Sequence, residues 1–384
     1  MKIAFFTDSY LPNVDGVVTS VCNTRKELER RGHEVFIFSP GTKQQKKENN
    51  DDHVYYFTST SFKPYPDYRI ALFNFLSPIK VVKEYDFDII HSHGIATTGL
   101  AAIKSSQKLG IPAIATFHTL IPNAAHYITH HQQLQGIVHN MIWKYLVWYY
   151  SHYKKVIVPT NYVKKTVEQK GVKNTILNPS GIDLSKFSKN SNGEDFRKSF
   201  KIKKDTKIIL HVGRVALEKN LEELIEVAPS IMNIIPSIKI VLVGKGPAFD
   251  HYNSLVNKKG LSQYFLFTGY LNHELLASAY SAASVFVFPS MFDTQGLAVL
   301  EALASGTPAV VKKNSAASEY IEEGKNGYIY NDHFDCAEKI AKAIENKEKI
   351  KNATIDSVKQ FDIRITVDLL LDVYNSVLQK KSDA

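Results

Sequence analysis

At 384 residues the chain is long enough for two domains of ordinary size, and 44% hydrophobic against 22% charged residues excludes a disordered or fibrous protein. Lysine and arginine outnumber the acids 47 to 38, a formal net charge of +9, which points to an acidic partner surface. Two distant cysteines, Cys22 and Cys336, argue against a disulfide framework and for a reducing compartment, while no apolar run reaches signal-peptide or membrane-span length, so cytoplasmic placement is expected.

Lys2–Phe6 reads as a short apolar strand. Asp15-Gly16-Val17 then turns into VVTSVCNTRKELERRG, an amphipathic helix closed by Gly32. Strand, glycine turn and helix open a doubly wound domain, whose ligands lie at the carboxyl ends of its strands. The full GxGxxG fingerprint of a dinucleotide site is absent, and one glycine serves a bare turn equally well. His33–Ser39 is the second strand, and the charged stretch 41–53 is expected to be a surface loop. Asp86–His91 reads as a further strand. Its DFD triplet lies at the strand's start, away from the expected active end, and His91 with His93 lacks a further ligand set, so no metal is expected. Ile111–His118 delivers His118 at a strand end.

Residues 123–155 differ from the rest. They hold both tryptophans, Trp143 and Trp148, with His126, Tyr127 and many other aromatics. Ile137, Met141, Tyr145, Trp148 and His152 recur at helical spacing. Between 126 and 173, seven lysines, among them Lys144, Lys154 and Lys155, face a single acid, Glu168. Tryptophan, tyrosine and lysine together suit a lipid headgroup interface, where an apolar body and a polar tip are both satisfied. A helix whose aromatics fill a core fits the same letters. Nucleic acid is not expected, because no recognition motif accompanies the charge.

Lys155–Pro159 is a strand and TNYVKKTVEQKG a helix capped by threonine or asparagine. Residues 178–206 lack periodicity. The α/β pattern then restarts with Lys207–Val212, and Gly213-Arg214 leads through Lys219 into a helix at LEELIEVAPSIM. A guanidinium fork and an ammonium five residues apart at a helix N-terminus can hold a diphosphate. Strand Ile238–Val243, the GKGP turn and strand Tyr264–Phe267 follow, the last leading into TGYL. Ala283–Phe288 reads as a buried parallel strand. After it come Asp293, Gln295 and Gly296 in a loop, then LAVLEALA, a helix stopped by Gly306-Thr-Pro308. This strand, turn and helix N-terminus aim N–H groups of Gln295, Gly296 and Leu297 at one point, an anion site. Asp293 on the loop can take sugar hydroxyls, and Glu301, about two helical turns on, the hydroxyls of a ribose. An ordinary βα unit with two solvated acids has the same pattern.

The stretch from Pro289 to Val311 resembles the signature of the retaining nucleotide-sugar glycosyltransferases of the GT-B type. It is similar above all to the diacylglycerol glucosyltransferases and phosphatidylinositol mannosyltransferases of glycosyltransferase family 4. Where that family carries two glutamates eight residues apart, this chain has Asp293 and Glu301. The resemblance implies an α/β fold of two Rossmann-like doubly wound domains facing across a cleft. It puts an acceptor-binding domain at 1–180, a nucleotide-sugar-binding domain at 181–362 and a helix at 363–378 returning to the first. It further implies that Gly16 and Val17 approach the donor, that His118 reaches its sugar, and that Gly213, Arg214 and Lys219 hold its diphosphate. Tyr270 and Leu271 would then meet the base.

The resulting expectation is a hexosyltransferase moving glucose from UDP-glucose to a lipid such as diacylglycerol, with His118, Arg214, Lys219 and Asp293 catalytic. No cofactor and no essential divalent metal are expected. His126, Tyr127, Trp143, Lys144, Trp148, Lys154 and Lys155 would meet the acceptor or an anionic membrane, on the inner face of the cell membrane. Two alternatives stand beside it: a soluble transferase for glycan acceptors, and a non-catalytic sugar-nucleotide or lipid binder.

Overall fold

The computed structural model describes residues 1–62, 65–72, 76–122, 132–187 and 192–379. The chain divides into two compact α/β units, Met1–Gly181 with Ile363–Ala384, and Ile182–Asp362.

The first unit runs β1 (Lys2–Phe6), α1 (Gly16–Arg30), β2 (Glu34–Gly41), α2 (Lys43–Glu48), β3 (Val54–Phe62), β4 (Tyr65–Ala71), α3 (Leu76–Lys83), β5 (Ile89–Ser92), α4 (Thr97–Leu109), β6 (Ala113–Thr116), α5 (Gln132–Tyr150), β7 (Val156–Val158), α6 (Asn161–Gln169) and β8 (Thr175–Leu177). Among the described residues these strands form one sheet in the order β4-β3-β2-β1-β5-β6-β7-β8, parallel except for the β3–β4 pair. The order reverses between β1 and β5, the switch point where ligands of open α/β sheets bind. Asp8, in the loop after β1, accepts from Ile95 N (2.6 Å) and Ala96 N (2.8 Å) and from the Thr98 hydroxyl, tying that loop to the start of α4. The last helix, Ile363–Leu378, buries Val367, Leu370, Val373, Tyr374 and Val377 against α1 and the sheet.

The stretch 41–53 is not a plain loop. Thr42 accepts from Gln45 N (3.0 Å) and Gln45 Oε1 from Thr42 N (2.6 Å), a reciprocal cap that starts α2. For α6 the cap is Thr160, whose hydroxyl accepts from Val163 N.

The second unit runs α7 (Gly193–Ser199), β9 (Lys207–Val212), α8 (Leu221–Ile234), β10 (Ile238–Val243), α9 (Phe249–Lys258), β11 (Phe265–Gly269), α10 (His273–Ala282), β12 (Val285–Phe288), α11 (Leu297–Ala304), β13 (Ala309–Lys312), β14 (Gly327–Tyr330) and α12 (His333–Asp356). Its sheet is parallel, in the order β11-β10-β9-β12-β13-β14. All four side chains of β12 are buried, because helices cover both faces. Each contributes about 1.5–3 kcal/mol of burial, so a charge at Val287 should unfold this unit. The switch point lies between β9 and β12. The loops carrying Gly213 to Lys219 and Pro289 to Gly296 both start there.

Candidate active site

Three neighbouring loops of the second unit are stitched backbone to backbone at the carboxyl ends of β9, β10 and β11. Gly213 N donates to Val243 O, Val215 N to Lys245 O and Gly244 N to Gly269 O, each at 3.0 Å. The approach is so close that a Cβ on Gly244 would sit 2.0 Å from Gly213 O, and one on Gly246 2.2 Å from Val215 O. The GKGP turn is therefore a platform that fixes the backbone bearing Gly213 and Arg214. Lys219 ends the 3₁₀ turn Leu217–Lys219 that leads into α8.

Lys219 Nζ lies 2.6 Å from Asp293 Oδ1, and both side chains are largely shielded from solvent. Burial alone would raise the Asp293 carboxyl, but the Lys219 ammonium, by charge and by hydrogen bond, carries it below the usual range. The second oxygen, Oδ2, is buried without a partner among the described residues. Three residues on, Gly296 takes φ +80° as the N-cap of α11, with Phe288 and Ala317 packed at 3.2 Å from any Cβ it might carry. Among the described residues no side chain caps that helix, so its first N–H groups keep their positive potential for a ligand. Gln295 is buried, and Leu297 opens the helix half-buried.

Glu301 lies along the inner face of α11, where Tyr280 donates to its Oε2 at 2.7 Å. Burial raises its carboxyl to about 7. Tyr270 is exposed, with Lys245 Nζ 5.7 Å above its ring, while Leu271 packs on the core.

Sequence reasoning passed over His211. Its Nδ1 donates to Val287 O (3.0 Å), leaving Nε2 as an acceptor, buried and without a partner among the described residues. A Cβ on Gly213 would lie 3.2 Å from that nitrogen, and burial pushes the imidazole down to about 4, so it is neutral. The signal was a lone histidine in the apolar strand KIILHV.

In the first unit, Gly16 opens α1 beside a space in which a Cβ would meet nothing within 4 Å. Asp15 caps the helix through Val18 N (2.8 Å), and Val17 packs partly on the core. His118 lies two residues beyond β6, held to His93, which follows β5, by a 2.9 Å hydrogen bond between ring nitrogens.

The aromatic stretch splits between two faces of α5. Trp143, Tyr149, Tyr150 and Tyr153 are buried, Trp143 stacked near Phe117. This corrects the assignment of Trp143 to a membrane-facing set, because its helical position turns it into the core. Leu134, Ile137, Met141 and Trp148 are 46–64% exposed and share the opposite face with exposed Lys144. Lys154 is exposed and Lys155 half-buried just beyond the helix. His126 and Tyr127 lie outside the described residues. Among the described residues, no group of three His, Cys, Asp or Glu side chains is arranged to hold a metal ion, and no helix is long and apolar enough to cross a membrane.

The family model for glycosyltransferase family 4 matches residues 14–186, and that for glycosyl transferases group 1 matches 192–360. Alpha-monoglucosyldiacylglycerol synthase of Streptococcus pneumoniae is 31% identical over 350 residues, covering 90% of this chain and 78% of the relative. A GDP-mannose-dependent alpha-mannosyltransferase of Corynebacterium glutamicum is 27% identical over 352 residues, covering 90% and 80%. Among solved structures, Anabaena HepE in complex with UDP-glucose superposes with a TM-score of 0.77 over 98% of this chain and all of the other, at 18% identity. The two sheets thus share the architecture of the GT-B glycosyltransferases.

Proposed function

The chain belongs to glycosyltransferase family 4 and is a hexosyltransferase, and from that premise we propose that it transfers glucose from UDP-glucose, with retention, to diacylglycerol on the cytoplasmic face of a membrane. One observation carries the donor half: Arg214, the Lys219–Asp293 pair and the uncapped start of α11 all stand on loops of the sheet's switch point. Arg214, Lys219 and the N–H groups of Gln295, Gly296 and Leu297 would grip the diphosphate. Asp293 would hold sugar hydroxyls, Glu301 the ribose, and Tyr270 with Leu271 the base. Gly16, Val17 and His118 are the groups of the first unit assigned to the donor. The acceptor hydroxyl attacks the anomeric carbon from the side the nucleoside diphosphate leaves. The C–O bond to phosphate breaks, the departing phosphate oxygen takes the hydroxyl proton, and fixed cations stabilise the charge that develops.

The named relatives differ in donor, one being a glucosyldiacylglycerol synthase and another GDP-mannose-dependent. A screen of UDP-glucose, UDP-galactose and GDP-mannose against diacylglycerol in anionic vesicles, read by mass spectrometry, tests the assignment. Glucosyldiacylglycerol as the main product supports it. Transfer from GDP-mannose alone refutes the donor.

Glu301 adds a pH dependence. Two ribose hydroxyls donate to a carboxylate but not equally to a carboxylic acid. Its carboxyl is raised to about 7, so UDP should bind about tenfold more weakly at pH 6 than at pH 8. Calorimetric titration should show this, and Glu301→Gln should remove the trend. The same raised value acts oppositely on stability. The folded state holds the proton more tightly, so stability falls as pH rises from the ordinary glutamate value through 7.

For the acceptor half, the exposed row Leu134, Ile137, Met141 and Trp148 with Lys144 fits a helix lying in a headgroup interface. Replacing Lys144, Lys154 and Lys155 together by alanine should weaken sedimentation with anionic vesicles about a hundredfold at low salt, at about 1 kcal/mol per lysine. Unchanged binding would favour the soluble transferase, a reading supported by the burial of Trp143, Tyr149, Tyr150 and Tyr153 as core.

A further inference from the structure

The first unit holds three histidines in a row at the ends of adjacent strands. His91 is spoken for on both sides, with Nδ1 2.8 Å from Tyr374 Oη and Nε2 2.7 Å from Thr116 Oγ1. His93 packs against it with tilted rings, 4.0 Å between centroids, and reaches His118 through Nδ1···Nε2 at 2.9 Å. His91 and His93 are buried and His118 is half-buried, and desolvation keeps each imidazole neutral at pH 7. In a neutral pair one ring must donate and the other accept, so the bond decides which nitrogen of His118 carries its proton.

The direction of the bond follows from the far side of His93. Its Nε2 has no partner among the described residues, and neither has Asn178 Oδ1. Both residues line the same small cavity of about 30 Å³, with Ser20, Thr24 and Ser180. A buried N–H without an acceptor is rarer and costlier than a lone pair without a donor, so Nε2 is the unprotonated nitrogen. His93 then carries its proton on Nδ1 and donates it to His118 Nε2.

We propose that His93 is a positioning residue for His118, holding it in the Nδ1–H tautomer so that a sugar oxygen meeting the ring is met by a hydrogen-bond donor. That use of the donor rests on the transferase reading above; the tautomer itself does not.

The test has two arms. In ¹⁵N-histidine-labelled full-length protein at pH 7, long-range ¹H–¹⁵N spectra should show His118 with protonated Nδ1 and unprotonated Nε2. An Nε2–H form, or an averaged pair of tautomers, overturns the proposal whether or not any transfer is detected. In the kinetic arm, His93→Asn keeps an N–H donor near the place of Nδ1, while His93→Gln moves it to the place of Nε2. Loss of one positioning hydrogen bond should lower kcat about tenfold in His93→Gln, and His93→Asn should recover most of it. Equal kcat in both variants, with the melting temperature unchanged, would mean His93 only fills space and would also overturn the proposal.

Discussion

Replacing Arg214 with alanine is expected to lower kcat/KM for the sugar nucleotide by about 10²–10³-fold, the loss found when one donor to a developing anion is removed from a shielded site. The leaving group is a nucleoside diphosphate, and its charge grows as the glycosidic bond breaks. A planar guanidinium presents paired N–H groups to two phosphate oxygens, and such charge-assisted bonds are about twice as strong as neutral ones. Arg214 is held at its place by the backbone ladder that joins Gly213 and Val215 to Val243, Lys245 and Ala248 at the β10 turn, so the side chain can be removed without loosening the loop. Melting temperature should therefore stay within about 2 °C, as expected for a change under 1 kcal/mol in a chain of this size. Arg214→Lys should recover little, because an ammonium cannot reproduce the fork. Initial rates of UDP release and glycolipid formation would check all three statements. A variant with kcat/KM within twofold of wild type would remove Arg214 from the mechanism.

Much of this site was readable locally. The helix LAVLEALA is observed with those eight residues as α11, because an apolar β-branched strand, a glycine and a proline bracket it on either side. The strand KIILHV and the last helix, Ile363–Leu378, were equally plain. What could not be read was any pairing across distance. Lys219 and Asp293 are 74 residues apart, and only the parallel register of β9 with β12 brings their loops together. The three histidines come from β5 and from the loops that follow β5 and β6, and β5–β6 pairing makes them one cluster. In α5 the spacing announced a helix, yet apolar residues on both faces hid which one was buried. The rank of exposed Ile137, Met141 and Trp148 opposite buried Trp143 and Tyr150 needed the sheet to be in place. The reciprocal cap at Thr42 and Gln45 was a local signal overlooked beneath the charge of its neighbours.

Asp293→Ala should separate turnover from donor binding. Asp293 Oδ1 holds Lys219 at 2.6 Å, so a diphosphate that needs this ammonium must draw it away from the carboxylate. Removing the carboxylate deletes the grip on the sugar, which should lower kcat by about 10²-fold. It also releases the lysine to the phosphates, so donor KM should stay within a few fold or fall. A rise in KM with kcat unchanged would contradict that assignment, since it would describe a residue contributing only uniform binding. Lys219→Met makes the complementary case. It leaves a carboxylate shielded from water without its cation, at a cost of about 2–3 kcal/mol once residual exposure is discounted, or a fall of about 4–6 °C in melting temperature. The sign with pH follows from the lowered Asp293 carboxyl. The pair's contribution is fully present above the ordinary aspartate value and drains away as pH falls through the lowered one. Wild type should therefore lose stability in acid over a range where Lys219→Met does not. Parallel acid sensitivity in the two proteins would show that the ion pair contributes nothing to the resting fold.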